Sequence, residues 1–214
     1  MSEDREPNLD GAYNLATSAE RRRFYKDWAP DYDTEFASER GYLLASHVAE
    51  IFAGHAEPDD APILDVGAGT GLVGEALFRQ GSWPIDALDL SPEMLAEAEA
   101  KQIYGRCIEA DLTDPDTLPR QRYGALLCAG TFTLGHLGAG ELARLLDLVR
   151  PNALLIVSIN AEHFESAGFA TAFDELSEHI TEPLFVEVPI YSTAIGDEHD
   201  EDTALISLFR KATR

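Results

Sequence analysis

An aspartate set two residues ahead of three glycines at alternate positions, Asp65-Val-Gly67-Ala-Gly69-Thr-Gly71, is the arrangement in this chain best suited to chemistry. Residues without a Cβ take positive φ and let a ligand approach the backbone, and a helix that starts directly afterwards offers unpaired N–H groups. Further on, Asp89 and Asp111 each follow a short apolar run, and His136 and His163 lie beyond two more such runs. Carboxylates so placed can hold hydroxyls or amines, and a histidine titrating near neutrality can take a proton. The set reads as a cofactor loop with a binding edge beside it.

Two cofactors compete for the loop. Gly69-Thr-Gly71-Leu-Val-Gly74 satisfies the dinucleotide spacing G-x-G-x-x-G, and Asp89 lies about 20 residues further on, as a nicotinamide dinucleotide would require. Asp65 separates the two readings by charge. A carboxylate at the strand end, facing the contents of the loop, repels a pyrophosphate and attracts the ammonium and sulfonium of S-adenosylmethionine.

Asp65-x-Gly-x-Gly-x-Gly71 resembles the first motif of the class I S-adenosylmethionine-dependent methyltransferases. Ile85-Asp-Ala-Leu-Asp-Leu-Ser-Pro-Glu-Met-Leu95 is similar to the family's second strand, and Ile108-Glu-Ala-Asp-Leu112 to the segment after its third. Lys26-Asp-Trp-Ala-Pro-Asp-Tyr-Asp33 resembles the Trp-Ala-x-x-Tyr-Asp stretch of the branch that acts on small molecules. The resemblance spans roughly residues 20 to 214. It implies S-adenosylmethionine as cofactor, with Asp65, Gly67, Gly69 and Gly71 near its methionine end and Asp89 at the ribose hydroxyls. Asp111 falls at the adenine amino group, Leu90 against a face of the base, and Leu112 and Tyr32 along the same site. It also implies a Rossmann-like α/β fold with a seven-stranded, mostly parallel sheet in the order 3-2-1-4-5-7-6, strand 7 antiparallel, and helices on both faces. Pro151-Asn-Ala153 departs from the Pro-Gly-Gly turn of many members, so a changed turn is expected before the fifth strand.

The elements that position these residues follow from periodicity. Residues 1–16 are polar and acidic and are expected to form a mobile arm unless they fold over a ligand; residues 17–214 form a single domain, with 17–40 as a helical lid. Thr17-Ser-Ala-Glu20 is a capping box for a helix from Ser18 towards Trp28, before Pro30. Tyr25, Trp28, Tyr32 and Phe36 anchor this segment to the core or close a lid. A helix is expected from Tyr42 to about Gly54, with His47 at its boundary bonded to a partner. Ser91-Pro-Glu starts another, with Met94 in the core or near adenine. Strands are expected at Gly105 to Ala110, Gly124 to Ala129, Ala153 to Ile159, Leu184 to Tyr191 and Ala204 to Arg210. The spacing predicts helices from Glu141 to Val149 and from Phe169 to Ile180. Ligands in open α/β sheets sit beyond the carboxyl ends of strands, which brings the His136 loop and Asn160 to His163 to one edge.

The chain has 214 residues, 45% of them apolar, which fits one domain with a full core. Its formal charge of −23, from 39 acids against 16 bases, repels phosphate backbones and disfavours nucleic-acid partners. No apolar run approaches the length of a membrane span and the start has no apolar core, so no membrane partner and a cytoplasmic location are expected. Cys107 and Cys128 have no metal spacing around them and read as buried small hydrophobes. The acids and His199 between Gly196 and Asp202 are competent metal ligands, but consecutive charges at a hairpin tip read as a solvated loop, and no metal is expected.

Methyl transfer from a sulfonium is an in-line displacement that needs position and dryness more than a reactive side chain. Where the acceptor loses a proton, His136 is the first candidate base, with His163 and Glu162 behind it. The expected activity is methyl transfer to a small-molecule acceptor. A sensor or non-catalytic partner that keeps the cofactor fold is the alternative, and a blocked acceptor cavity between Tyr25 to Tyr32, the His136 loop and Asn160 to His163 would favour it. A nicotinamide oxidoreductase is the third reading.

Overall fold

Neighbouring apolar residues in the short strands, such as Ile63-Leu64, Leu126-Leu127 and Leu155-Ile156, point to opposite faces of a sheet, so both faces need a cover. The computed structural model describes residues 9–120, 122–197 and 199–213. In chain order its elements are α1 (Leu9–Tyr13), α2 (Ser18–Trp28), a π-helical turn (Tyr32–Ser38), α3 (Leu44–His55), β1 (Ile63–Val66), α4 (Leu72–Gln80), β2 (Ile85–Asp89), α5 (Pro92–Ala100) and β3 (Cys107–Glu109). Then come β4 (Tyr123–Phe132), α6 (Leu142–Leu148), β5 (Val149–Asn160), α7 (Ala161–Ser166), α8 (Phe169–Glu175), β6 (Leu184–Pro189) and β7 (Thr203–Arg210).

The strands make one sheet in the order β3-β2-β1-β4-β5-β7-β6. β1, β2, β3, β4 and β5 pair in parallel, and β7 runs antiparallel to both β5 and β6. One face buries Ile63, Leu127 and Ile156 under Val48 and Phe52 of α3 and Val73 and Leu77 of α4. The other buries Leu64, Leu126 and Leu155 under Leu142 and Leu145 of α6 and Phe169 and Phe173 of α8. A third apolar cluster, with Leu9, Ala12, Phe24, Trp28, Phe36 and Tyr191, joins the N-terminal helices to the strand ends.

Local signals produce the expected starts. Thr17 accepts the Glu20 N–H while the Glu20 carboxylate accepts the Thr17 N–H, which closes the capping box of α2. Ser91 accepts from the Met94 N–H at the start of α5. Elsewhere long-range pairing overrides the local pattern. The arm differs from its expectation: residues 1–8 lie outside the described residues, but 9–13 form α1 and bury Leu9 and Ala12, with Leu15 just beyond. The expected helix to Ile180 stops at Glu175, because Ile180 bridges to Lys211 and Thr181 bonds to Arg210. The helix before the fifth strand ends at Leu148, since Val149 already pairs with Tyr123; Pro151 then lies within β5, at a register shift. Asn152 there takes φ +66, a conformation asparagine tolerates better than most side chains. The Nε2 atom of His47 is buried without the expected hydrogen-bond partner.

Among the described residues no helix is long and apolar enough to cross a membrane. Among them, too, no group of three or more histidines, cysteines, aspartates or glutamates could hold a metal ion. Asp200 instead accepts the N–H groups of Ile195 and Gly196, and Asp197 pairs with the buried Arg40.

Candidate active site

Strand β1 ends in the glycine loop, whose geometry sets the site. Gly67 has φ +68, and a Cβ there would run into the Thr131 side chain from β4, so the close crossing of the two strand ends requires glycine. Gly69 has φ +54 and faces open space, with no atom within 4 Å of where its Cβ would be. That space is a cavity. Gly67, Gly69, Asp89, Leu90, Asp111, Leu112, Tyr32 and His136 all line it, and so does Met94. Gly71 does not line it; with φ +91 it is the residue from which α4 starts.

Asp89 fastens the second strand to the loop. Its two carboxylate oxygens accept the N–H groups of Gly69 and Ser91, each at 2.8 Å. Burial raises its pKa, against the lowering effect of those N–H groups and that of Leu90. A carboxylate has about four acceptor positions, so beside these three N–H groups at least one remains for a ligand. Asp111 accepts the N–H and the hydroxyl of Thr113 at 2.8 and 2.7 Å. Burial raises the pKa of this carboxyl, but the Thr113 and Ser18 hydroxyls outweigh it and hold the group below its ordinary value.

Asp65 is not at the cavity wall. It is fully buried beneath the loop, where Oδ2 accepts the Tyr104 hydroxyl at 2.7 Å and Oδ1 has no partner. Burial pushes its pKa up to about 7. Tyr104 is a residue that sequence reasoning missed. Its hydroxyl also accepts the Gly74 N–H, and its ring fills the space a Cβ would need at Gly71 and Gly74.

His136 stands where the loop after β4 meets α2. A carbonyl oxygen only accepts, so the 2.9 Å contact to Leu134 puts the proton on Nδ1 and leaves the Nε2 lone pair for the Tyr25 hydroxyl, 2.6 Å away. Burial lowers the imidazole pKa to about 4, so the ring is neutral. His163 is not brought to the cavity. Its Nε2 faces the Leu137 carbonyl at 2.9 Å and its ring packs edge-on against Phe169, which makes it a support for the His136 loop. Tyr25, Arg21 and Tyr42 complete the wall; the aromatic density before residue 40 was the available signal for Tyr25, and none pointed to Tyr42.

A second, smaller cavity adjoins the first and shares Tyr25, Tyr32, Tyr42, Gly130 and His136 with it. Trp28, Phe36, Thr133, Asn160 and Tyr191 line its far side, and α1 contributes Leu9 and Ala12.

Residues 63–152 match the family described as Methyltransferase domain. Over 151 residues the chain is 30% identical to the human Methyltransferase-like protein 27, across 69% of this chain and 60% of that protein. The chain therefore spans less than two thirds of that relative's length. Magnesium protoporphyrin IX methyltransferase from Synechocystis PCC 6803, solved with bound S-adenosylmethionine, matches with a TM-score of 0.65 at 15% identity, over 96% of this chain and 99% of that one. A TehB-like S-adenosylmethionine-dependent methyltransferase from Corynebacterium glutamicum matches with a TM-score of 0.62 at 18% identity, over 88% and 98%. At those identities the two structures speak to fold alone. Residues 63–152 thus match a methyltransferase-domain family, and the sheet order is the one expected from the resemblance to the class I, S-adenosylmethionine-dependent methyltransferases.

Proposed function

We propose that the protein transfers a methyl group from S-adenosylmethionine to a small-molecule acceptor. The observation that carries this reading is the cavity lined by the glycine loop and Asp89, with a second cavity beside it that shares Tyr25, Tyr32 and His136. The residues present fit the cofactor. Gly69 leaves room for it, Asp89 keeps an acceptor position for a ribose hydroxyl, and Asp111 lies where an adenine amino group would donate. Asp65 lies under the methionine end without occupying the cavity, and its unpartnered Oδ1 would supply negative charge there once the carboxyl ionises near pH 7. When bound, the cofactor supplies an electrophilic methyl group: a bond from the acceptor's lone pair to the methyl carbon forms as the carbon–sulfur bond breaks, and that electron pair stays on a neutral sulfur.

The chain's own residues orient and dry the site. The lid aromatics Tyr25 and Tyr32 line both cavities, which favours exclusion of water from the junction between them. An acceptor that loses a proton on methylation would pass it to the Tyr25 hydroxyl, whose own proton the Nε2 lone pair of His136 is placed to accept. His136, lowered to about 4, is a weak base, so it suits an acceptor whose own X–H is already acidic. An open second cavity supports an enzyme over a non-catalytic partner. The net charge of −23 argues against a nucleic-acid acceptor, and the free Cys107 and Cys128 are in keeping with a cytoplasmic location.

Calorimetry with S-adenosylmethionine, S-adenosylhomocysteine and NAD tests the reading. Both sulfur nucleosides should bind and NAD should not, and Asp89→Ala should weaken binding at least about tenfold by removing a charged acceptor. NAD binding in place of the sulfur nucleosides would overturn it.

A further inference from the structure

We infer that the second cavity takes an uncharged, mainly aromatic molecule as the methyl acceptor, with its reacting end at the wall shared with the first cavity. This rests on the methyl-transfer reading and names the substrate class for it. Seventeen residues line that cavity, and none of them is a lysine, arginine, aspartate or glutamate. Eight are phenylalanine, tyrosine or tryptophan, from four separate stretches of chain.

The nearest charges are committed elsewhere. Arg21 donates to the carbonyl oxygens of Gly135 and His136, Arg40 pairs with Asp197 behind the Tyr191 ring, and Asp202 accepts from Tyr13. An anion entering the cavity would find no cation to replace its water. An ammonium would find ring faces but no carboxylate in this lining; of the charges on the adjoining cavity, Arg21 would repel it, and Asp89 and Asp111 would be engaged by the bound nucleoside. The atom that accepts a methyl group from a sulfonium must also present a lone pair, which a protonated amine lacks. The phenols and the rings offer instead what a planar neutral molecule needs: flat apolar contact and hydroxyls that stay protonated, since burial raises Tyr13, Tyr25, Tyr32, Tyr42 and Tyr191 above their ordinary values.

The reacting end of the ligand is set by the shared wall. Tyr25 and His136 form a hydrogen-bonded pair there, whereas Leu9, Ala12, Leu44 and Ile190 give apolar contact away from it, beside the polar side chains of Thr133, Ser158 and Asn160.

Three ligands of one shape separate the possibilities: 2-naphthol, 2-naphthoate and 2-naphthylmethylammonium, titrated calorimetrically at pH 7 into protein saturated with S-adenosylhomocysteine. The naphthol should bind beside the nucleoside, with both ions at least about tenfold weaker. Ala12→Trp and, separately, Thr133→Leu fill the second cavity and should abolish naphthol binding while S-adenosylhomocysteine still binds. Binding of either ion as tightly as the naphthol would overturn the inference. So would failure of all three to bind, displacement of the nucleoside by naphthol, or unchanged naphthol affinity in a variant that still binds the nucleoside. Failure of S-adenosylhomocysteine itself to bind would instead sink the methyl-transfer reading.

Discussion

Burial without a cation holds the Asp65 carboxyl at about 7, so from about pH 4 to 7 the folded protein keeps a proton that the unfolded chain releases. The stabilisation this represents is complete below the unfolded pKa and is lost as pH rises through 7. Asp65→Asn has no charge to desolvate and should therefore gain on the parent protein as pH rises from 4 to 8, by up to about 4 kcal/mol. Denaturant melts at both pH values measure that difference, and a constant offset between the two proteins would refute it. His136 acts in the other direction. Its folded pKa of about 4 lies below the ordinary value, so the unfolded chain binds the extra proton as pH falls below 6.5, and stability is lost on the acid side. His136→Gln should gain on the parent between pH 6.5 and 4 in the same melts. For turnover, Tyr25→Phe keeps the ring but removes the hydroxyl bonded to His136; the rate on a proton-losing acceptor should drop about 100-fold with S-adenosylhomocysteine affinity within about twofold. At this scale the sequence carried chemical type better than location. The sign of the Asp65 charge was readable, but its place under the loop depends on Tyr104, 39 residues away, which no local pattern links to it.

The segment proposed as a lid is tied to the glycine loop through charged groups on three elements. Asp33, in the π-helical turn after α2, accepts the Thr70 hydroxyl and the Lys101 ammonium, the latter at 2.7 Å, and Lys101 also reaches Glu75 on α4 at 3.1 Å. Lys101 is mostly buried while the two acids are about one-third exposed, so the link should be worth only about 1 kcal/mol in a closed lid. Lys101→Met should therefore raise the dissociation rate of S-adenosylhomocysteine roughly fivefold with little change in thermal stability, as stopped-flow displacement would show. An unchanged rate would mean that the lid does not gate the cofactor. Elements set by neighbouring residues were legible: the Thr17 capping box and the Ser91-Pro92 start need only a few positions of sequence. Those set by distant partners were not. Ile180 reads as the last turn of a helix until Lys211 pairs with it, and Val149 reads as helical until Tyr123 draws it into the sheet.

For the whole molecule, the sheet order came from resemblance, since the spacing of strands along a chain does not say which neighbour each one takes. The aromatic chamber was legible only as a crowd of rings before residue 40, because its walls also use Phe132, Asn160 and Tyr191 from distant strands and loops. Charge is a property of the whole chain that needs no fold to be read. Paired one to one, the 16 bases would leave 23 of the 39 acids without a basic partner. Several pairs that do form, such as Arg22 with Glu109, are about half exposed and contribute under about 1 kcal/mol each. Repulsion among the unpaired acids acts over longer distances, and folding concentrates it, so salt should relieve more repulsion than it weakens attraction. The melting temperature should rise by several degrees between about 0.02 and 0.5 M sodium chloride, a salt chosen because sulfate also strengthens apolar burial by exclusion. A melting temperature that falls with sodium chloride would mean that the ion pairs outweigh the repulsion, and that the acids are arranged around the 16 bases closely enough to bind the fold together.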